Sequence, residues 1–452
     1  MSSRKRRFIV VGLAAVVAAL AMIAYFRANR EPEHVTLTIL GEDASTMQAI
    51  DTVKGRFEAA HGVQVSTTKN AFEVLQQKAN ADLSSGSGLY DIILNVSSSL
   101  SSYVRNGWVY TLADLTHMDP ALDNQSLDKD LFPRTWREVG FYPTTPGGQP
   151  EAIGYPWAAN SMLLVYNKKM FDDPANRDAY RRKYGTDLAP PTQWQDFRQI
   201  AEFFTNPTKG QHGVVLEGAS GGWLYYEWVN FAYSMGGGVM KKSYGWEGDA
   251  ATPLILDSPE TIAATKFYVS LKPYTAGDFL STGQNEQVEM MRGGNIAMAI
   301  IWSDTLFRLV HSPAGSQFGY APIPGDKSQI GGGIFYINKK TKHPKLDAEF
   351  LQFYFQHDTQ RDLMLQGLCS PVRSAYDDPT VIKEVPYAHA LRQALEEGVY
   401  MTEAGPDADA VEEEVTSAVQ RIWRGETTAE TGLHEAQLDL QKKRAAIFAM
   451  VK

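Results

Sequence analysis

From His34 onward the chain alternates short β-branched runs with segments of three- and four-residue apolar spacing. That alternation leaves little room for anything but helices packed on a parallel sheet, an α/β fold. Val35-Thr36-Leu37-Thr38-Ile39-Leu40 predicts a first strand, stopping at Gly41. Met47, Ile50, Val53 and Phe57 share one helical face across 46–61, and Gly62 closes the helix. Residues 63–67 predict a second strand. Asp91-Ile92-Ile93-Leu94-Asn95-Val96 predicts a third, running into Ser97-Ser98-Ser99. Open α/β sheets bind ligands at the carboxyl ends of their strands, so those hydroxyls stand where a ligand is expected. Further on, Pro190-Pro191 introduces a helix with Thr192 and Gln195 at capping-box spacing.

A chain of 452 residues exceeds what one core organises, so two lobes are expected. No repeat or Pro/Ser-rich linker separates them, which predicts lobes joined by strands that cross from one to the other. The net charge of −9 argues against a nucleic-acid partner, because phosphate binding needs surplus Lys and Arg. A single cysteine, Cys369, rules out an intrachain disulfide, and the nine His residues show no metal-binding spacing. No metal and no cofactor is expected. The Gly331-Gly332-Gly333 run is not a phosphate loop, since no Lys-Ser/Thr follows it.

Arg4-Lys5-Arg6-Arg7 precedes an apolar run from Phe8 to Phe26, which reads as an export signal. The rest of the chain is then expected outside the cytoplasm. Ala19-Leu20-Ala21 offers a cleavage site, yet the run continues past it to near spanning length. Residues 1–33 are therefore either a cleaved signal or a membrane anchor. No cysteine follows that would carry a lipid tether.

Four blocks carry a family resemblance. They are Tyr155-Pro156-Trp157-Ala158-Ala159-Asn160 through Tyr166-Asn167-Lys168; Pro191-Thr192-Gln193-Trp194-Gln195-Asp196-Phe197; Glu289-Met290-Met291-Arg292-Gly293-Gly294-Asn295-Ile296-Ala297-Met298 through Trp302; and Ala418 through Glu426 with Ala436-Gln437. Taken in order, the chain resembles the family 1 extracellular solute-binding proteins of sugar importers. The resemblance implies a two-lobed periplasmic-binding-protein clamshell with strands crossing at the hinge, preceded here by an N-terminal hydrophobic helix. It places one lobe at 34–154 plus 337–372 and the other at 158–333 plus 373–452. It also implies ABC permease subunits as partners, a cytoplasmic ATPase acting through them, and no catalysis. A second reading is a sensory binding protein that docks on a membrane receptor.

Sugars present C–H faces ringed by hydroxyls, so their sites combine aromatic platforms with polar side chains. Trp223 and Tyr226 follow a glycine turn and serve either as platforms or as core. Trp302, at a strand end beside Ser303 and Asp304, is expected to stack on the ligand. Ser97, Ser98, Glu42 and Asp43 follow strands and suit hydroxyls, although Asp43 also suits a helix cap. Gly332 and Gly333 let backbone approach a ligand or absorb hinge rotation. By resemblance, Asn160 stands at a ligand contact in the hinge block, and Arg373 where relatives return between lobes. Ser97 to Ser102 and the acidic stretch 407–414 replace residues that sugar-binding relatives carry, which leaves the ligand open between a neutral oligosaccharide and a polyol or glycerophosphodiester. Glycoside hydrolysis would need a carboxylate pair such as Glu42 and Glu227, but nothing in their spacing demands it and no catalytic motif accompanies them.

Overall fold

Strand β1 (Thr36–Glu42) alternates Thr36 and Thr38 with buried Leu37 and Ile39 and then runs buried through Leu40 and Gly41. It pairs in parallel with β2 (Gln64–Asn70) on one side and with β3 (Ile92–Val96) on the other. The helix between the first two strands, Ser45–His61, buries Met47, Ile50, Val53 and Phe57 as their spacing predicts. Gly62 ends it at φ 66°, donating its N–H to the Glu58 carbonyl. This computed structural model describes residues 35–120, 125–145, 148–242, 251–399 and 405–450. The segment 1–33, with its expected hydrophobic helix, lies outside them. No helix among the described residues is long and apolar enough to cross a membrane.

Two readings of local signals are corrected. Gly41 does not stop β1, which runs on to Glu42; the glycine is buried, and a Cβ there would stand 2.6 Å from the Met47 sulfur. It makes room for a helix packed over the strand. The Thr192/Gln195 box does not form either: the helix is Trp194–Phe204, its N-cap is Gln193, and no side chain caps it. Trp194 is held instead by tertiary contacts, its ring 4.1 Å from that of Phe231 and its Nε1–H donating to Ser234 Oγ at 2.7 Å.

Three short strands follow, β4 (Phe141–Pro143) and β5 (Pro150–Ala152) as a separate hairpin, and β7 (His212–Val215) in the main sheet, with the long β6 (Pro156–Asn167) between them. Next come β8 (Ile296–Trp302), β9 (Phe318–Ala321) and β10 (Ile330–Ile337). The main sheet has the order β2-β1-β3-β10-β6-β8-β7, with β9 also on β6. Register shows how its two ends are joined. The first half of β6 pairs with β10 and its second half with β8 and β9, whereas β10 pairs with β6 through its first half and with β3 through its second. Both strands thus pass from one end of the sheet to the other.

The crossing is tight. A Cβ on Gly333 would fall 1.9 Å from the Asn95 carbonyl oxygen and 2.8 Å from Trp157 Nε1, and the β10–β6 register shifts at Gly333/Ile334. Gly333→Ala must push β3 and β10 apart, and overpacking on backbone is expected to cost about 3 kcal/mol. Denaturant unfolding of the variant measures this; an unmoved midpoint would show that the crossing strands part freely.

Candidate functional site

The carboxyl ends of β1, β3 and β8 converge on the crossing. Glu42, Ala44, Ser45, Met47, Phe72, Leu94, Asn95, Val96, Trp157 and Asp304 surround a cavity of about 30 Å³ there. Ser45 Oγ, from the β1 end of the sheet, lies 3.4 Å from the carbonyls of both Asp304 and Gly367. Asparagine 95 anchors the β3 side: its amide exchanges hydrogen bonds with Gln76 and donates to Ser99 Oγ at 3.0 Å and to the Tyr103 hydroxyl at 2.9 Å. Its carbonyl accepts the Trp157 Nε1–H at 3.3 Å, which fixes a half-buried indole against the cavity.

Opposite stand Asn160 and Asp304. Asn160 Nδ2 lies 3.4 Å from Asp304 Oδ2, while Asn160 Oδ1 and Asp304 Oδ1 are buried and accept no hydrogen bond. Burial holds the Asp304 carboxyl up at about 6, opposed by backbone hydrogen bonding from its own N–H, by the Arg308 charge and by the Thr305 N–H. Behind them Trp302 is only 8% exposed. A Cβ on Gly331 would come within 2.7 Å of its ring, and Tyr226 meets it edge-on with centroids 6.1 Å apart. The Tyr226 hydroxyl donates to Glu412 at 3.2 Å.

The residues expected at a ligand site therefore separate into groups. Glu42 and Asp304 line the cavity, Asn160 adjoins it through its contact with Asp304, Gly333 lies against Trp157, which also lines it, and Gly332 lies against the Ala158 carbonyl. Ser97 and Ser98 follow directly on Val96, with Ser97 buried and Ser98 exposed. Trp302 and Tyr226 pack into the core that backs the site. Trp223 lies against Gly283, and Arg373 donates to the Lys129 carbonyl, so neither is drawn to the cavity. The Asp43 cap is corrected: the helix N-cap is Ala44, and Asp43 Oδ1 accepts from Gln48 instead. Trp157 and Asn95 were not singled out. Trp157 could have been, as the one large aromatic in the half of β6 that pairs with β10.

Glu42 and Glu227 do not form an acid–base pair. Glu42 is exposed at the end of β1, whereas Glu227 is fully buried, accepting from the Glu217 N–H at 3.0 Å, from Gln287 at 3.1 Å and from the Tyr268 hydroxyl at 3.2 Å. Glu217 is equally buried. Burial first, and then the neighbouring carboxylate, push its carboxyl well above the usual range, while burial takes Glu227 up to about 8. Burial disfavours the charged form of both.

A cavity at strand ends, placed where two strands cross between the halves of one sheet, defines a protein that holds a small solute between two lobes. The profile described as bacterial extracellular solute-binding protein matches residues 53–389, and the chain belongs to that family. A probable amino-acid ABC transporter periplasmic-binding protein of Sinorhizobium fredii is 24% identical over 94% of this chain and 95% of its own length. Among solved structures, the solute-binding protein of Agrobacterium radiobacter K84 in complex with ribitol superposes with a TM-score of 0.73 at 21% identity, covering 91% of this chain and all of that one. The Thermotoga lettingae protein bound with α-D-tagatose gives a TM-score of 0.72 at 20% identity, with the same coverage of both chains. The fold is the two-lobed α/β fold of these binding proteins.

Proposed function

We propose that the chain is the extracytoplasmic binding component of an ABC importer, capturing a sugar or polyol between its lobes and delivering it to permease subunits coupled to a cytoplasmic ATPase. The carrying observation is the cavity between the strand ends, where one indole face meets carboxylates and an amide. Ribitol and tagatose complexes of the structural neighbours agree with this ligand class. The Sinorhizobium relative carries an amino-acid label, but among the described residues around the cavity no Lys or Arg stands ready for an amino-acid carboxylate. The lobes are taken as 34–154 plus 337–372 and 158–333 plus 373–452, meeting at the crossing of β6 and β10. The ligand contacts are Glu42, Asn95, Trp157, Asn160 and Asp304, reached when the lobes part and covered when they close over the ligand. This role involves no bond-making step.

A thermal-shift screen over sugars and polyols tests the reading, because a ligand that binds only the native state raises the melting temperature. With a hit in hand, Trp157→Ala is expected to weaken binding by roughly 5- to 150-fold, the loss of about 1 to 3 kcal/mol of stacking surface. Calorimetric titration reads it. Affinity left intact would remove Trp157 from the site.

A further inference from the structure

Two acceptors stand without a donor here: Asp304 Oδ1, on a residue that lines the cavity, and Asn160 Oδ1, on the neighbour whose Nδ2 lies 3.4 Å from Asp304 Oδ2. Asn160 is 93% buried, at 7% exposure, so a solvent molecule passing by does not satisfy it in the ordinary way of a surface amide. Leaving a buried acceptor without a donor is costly, and more so for a carboxylate. The Asn160 amide is already turned so that its Nδ2 faces Asp304 Oδ2. The opposite amide orientation would set two acceptors against each other.

The site therefore asks for donors and positive charge. A hydroxyl brings one donor together with lone pairs that these acceptors repel, whereas an ammonium brings three donors, no acceptor and a compensating charge. Two further features favour the cation. The Trp157 indole lines the same cavity as Asp304, and an aromatic face attracts an ammonium through its quadrupole. The residues around the cavity include Glu42 and Asp304 and, among those described, no Lys or Arg.

We propose that the Asn160–Asp304 pair selects a ligand that carries a protonated amine among its hydroxyls, an amino sugar or amino polyol, over its neutral counterpart. This rests on the sugar-or-polyol reading above and narrows it. The experiment titrates matched pairs into the full chain near neutral pH: D-glucosamine against D-glucose, D-galactosamine against D-galactose, and glucamine against sorbitol, with N-acetyl-D-glucosamine as the uncharged amide. In the pair containing the tightest binder, the aminated member is expected to bind at least about tenfold more tightly, the weight of one charge-assisted hydrogen bond. N-acetylation is expected to erase the gain, and Asp304→Asn to narrow it. A neutral member that binds as well or better overturns the inference and leaves the sugar reading standing. An undiminished preference in folded Asp304→Asn also overturns it. If none of the probes binds, the inference falls, and the thermal-shift screen decides the sugar-or-polyol reading separately. The wild-type comparison decides the matter even if the variant does not fold.

Discussion

Raising the pH from about 4.5 to about 8 is expected to weaken the fold steadily, through the acids buried beneath β7 and β8. Glu227 is held at about 8 in the folded chain against an ordinary value of 4.5, and Glu217 is shifted the same way. In that window the native state keeps protons that the unfolded chain releases. Stability must then fall as pH rises, being fully present below the unfolded value and lost by the time pH passes the folded one. The slope is about 1.4 kcal/mol per pH unit for each such group. Asp347, pushed up to about 8 by burial, and Asp304 at about 6 add the same sign elsewhere, so the wild-type slope alone does not assign the effect. Glu227→Gln and Glu217→Gln each remove one titration while keeping shape. Melting temperatures of the three proteins across the window are expected to show a flatter profile in both variants. Parallel profiles would mean that the buried pair is ionised.

The second large effect lies at the C-terminus. Arg444, on the Ala429–Met450 helix, donates Nε–H to Asp407 Oδ2 at 2.7 Å and Nη1–H to the Thr252 carbonyl at 3.0 Å, and both side chains are 2% exposed. Arg444→Met strands the Asp407 carboxylate in a dry interior, and breaking a buried pair this way is expected to cost about 3–5 kcal/mol. Replacing both partners, as Arg444→Met with Asp407→Leu, removes the uncompensated charge and is expected to recover most of the loss. Denaturation of the single and double variants measures the difference. A mild single variant, or a double variant no better than the single, would show that the pair is hydrated or that packing around it dominates.

What could be read from the sequence depended on how local the deciding contact is. The Ser45–His61 helix and its Gly62 stop were legible because periodicity and a left-handed residue are properties of the segment itself. Gly41 misled because its reason, the Met47 side chain over it, belongs to packing. The polar neighbours of Trp302, Ser303 and Asp304, suggested an open platform, yet its ring lies against Gly331 of another strand and Tyr226 of a helix, contacts made across long separations. Asn160 was identifiable within the hinge block and Asp304 just past a strand end. That they touch, and that each leaves an oxygen unpartnered, follows only from the antiparallel pairing of β6 with β8, in which Met162 faces Trp302. Trp157 was missed because one aromatic on an apolar strand looks like core until its face is known.

The cavity at the strand ends measures about 30 Å³, room for one or two water molecules and not for a sugar ring. In this arrangement Ser45 and Asp304 already meet across it. A ligand must therefore encounter a chain whose halves have swung apart, and its observed dissociation constant is the intrinsic one divided by the fraction of molecules so opened. Association then becomes a gated encounter, slower than free diffusion by that same fraction whenever the halves fluctuate faster than ligands arrive. Tightening the latch at Ser45 would slow capture without changing any of the five residues proposed to hold the solute.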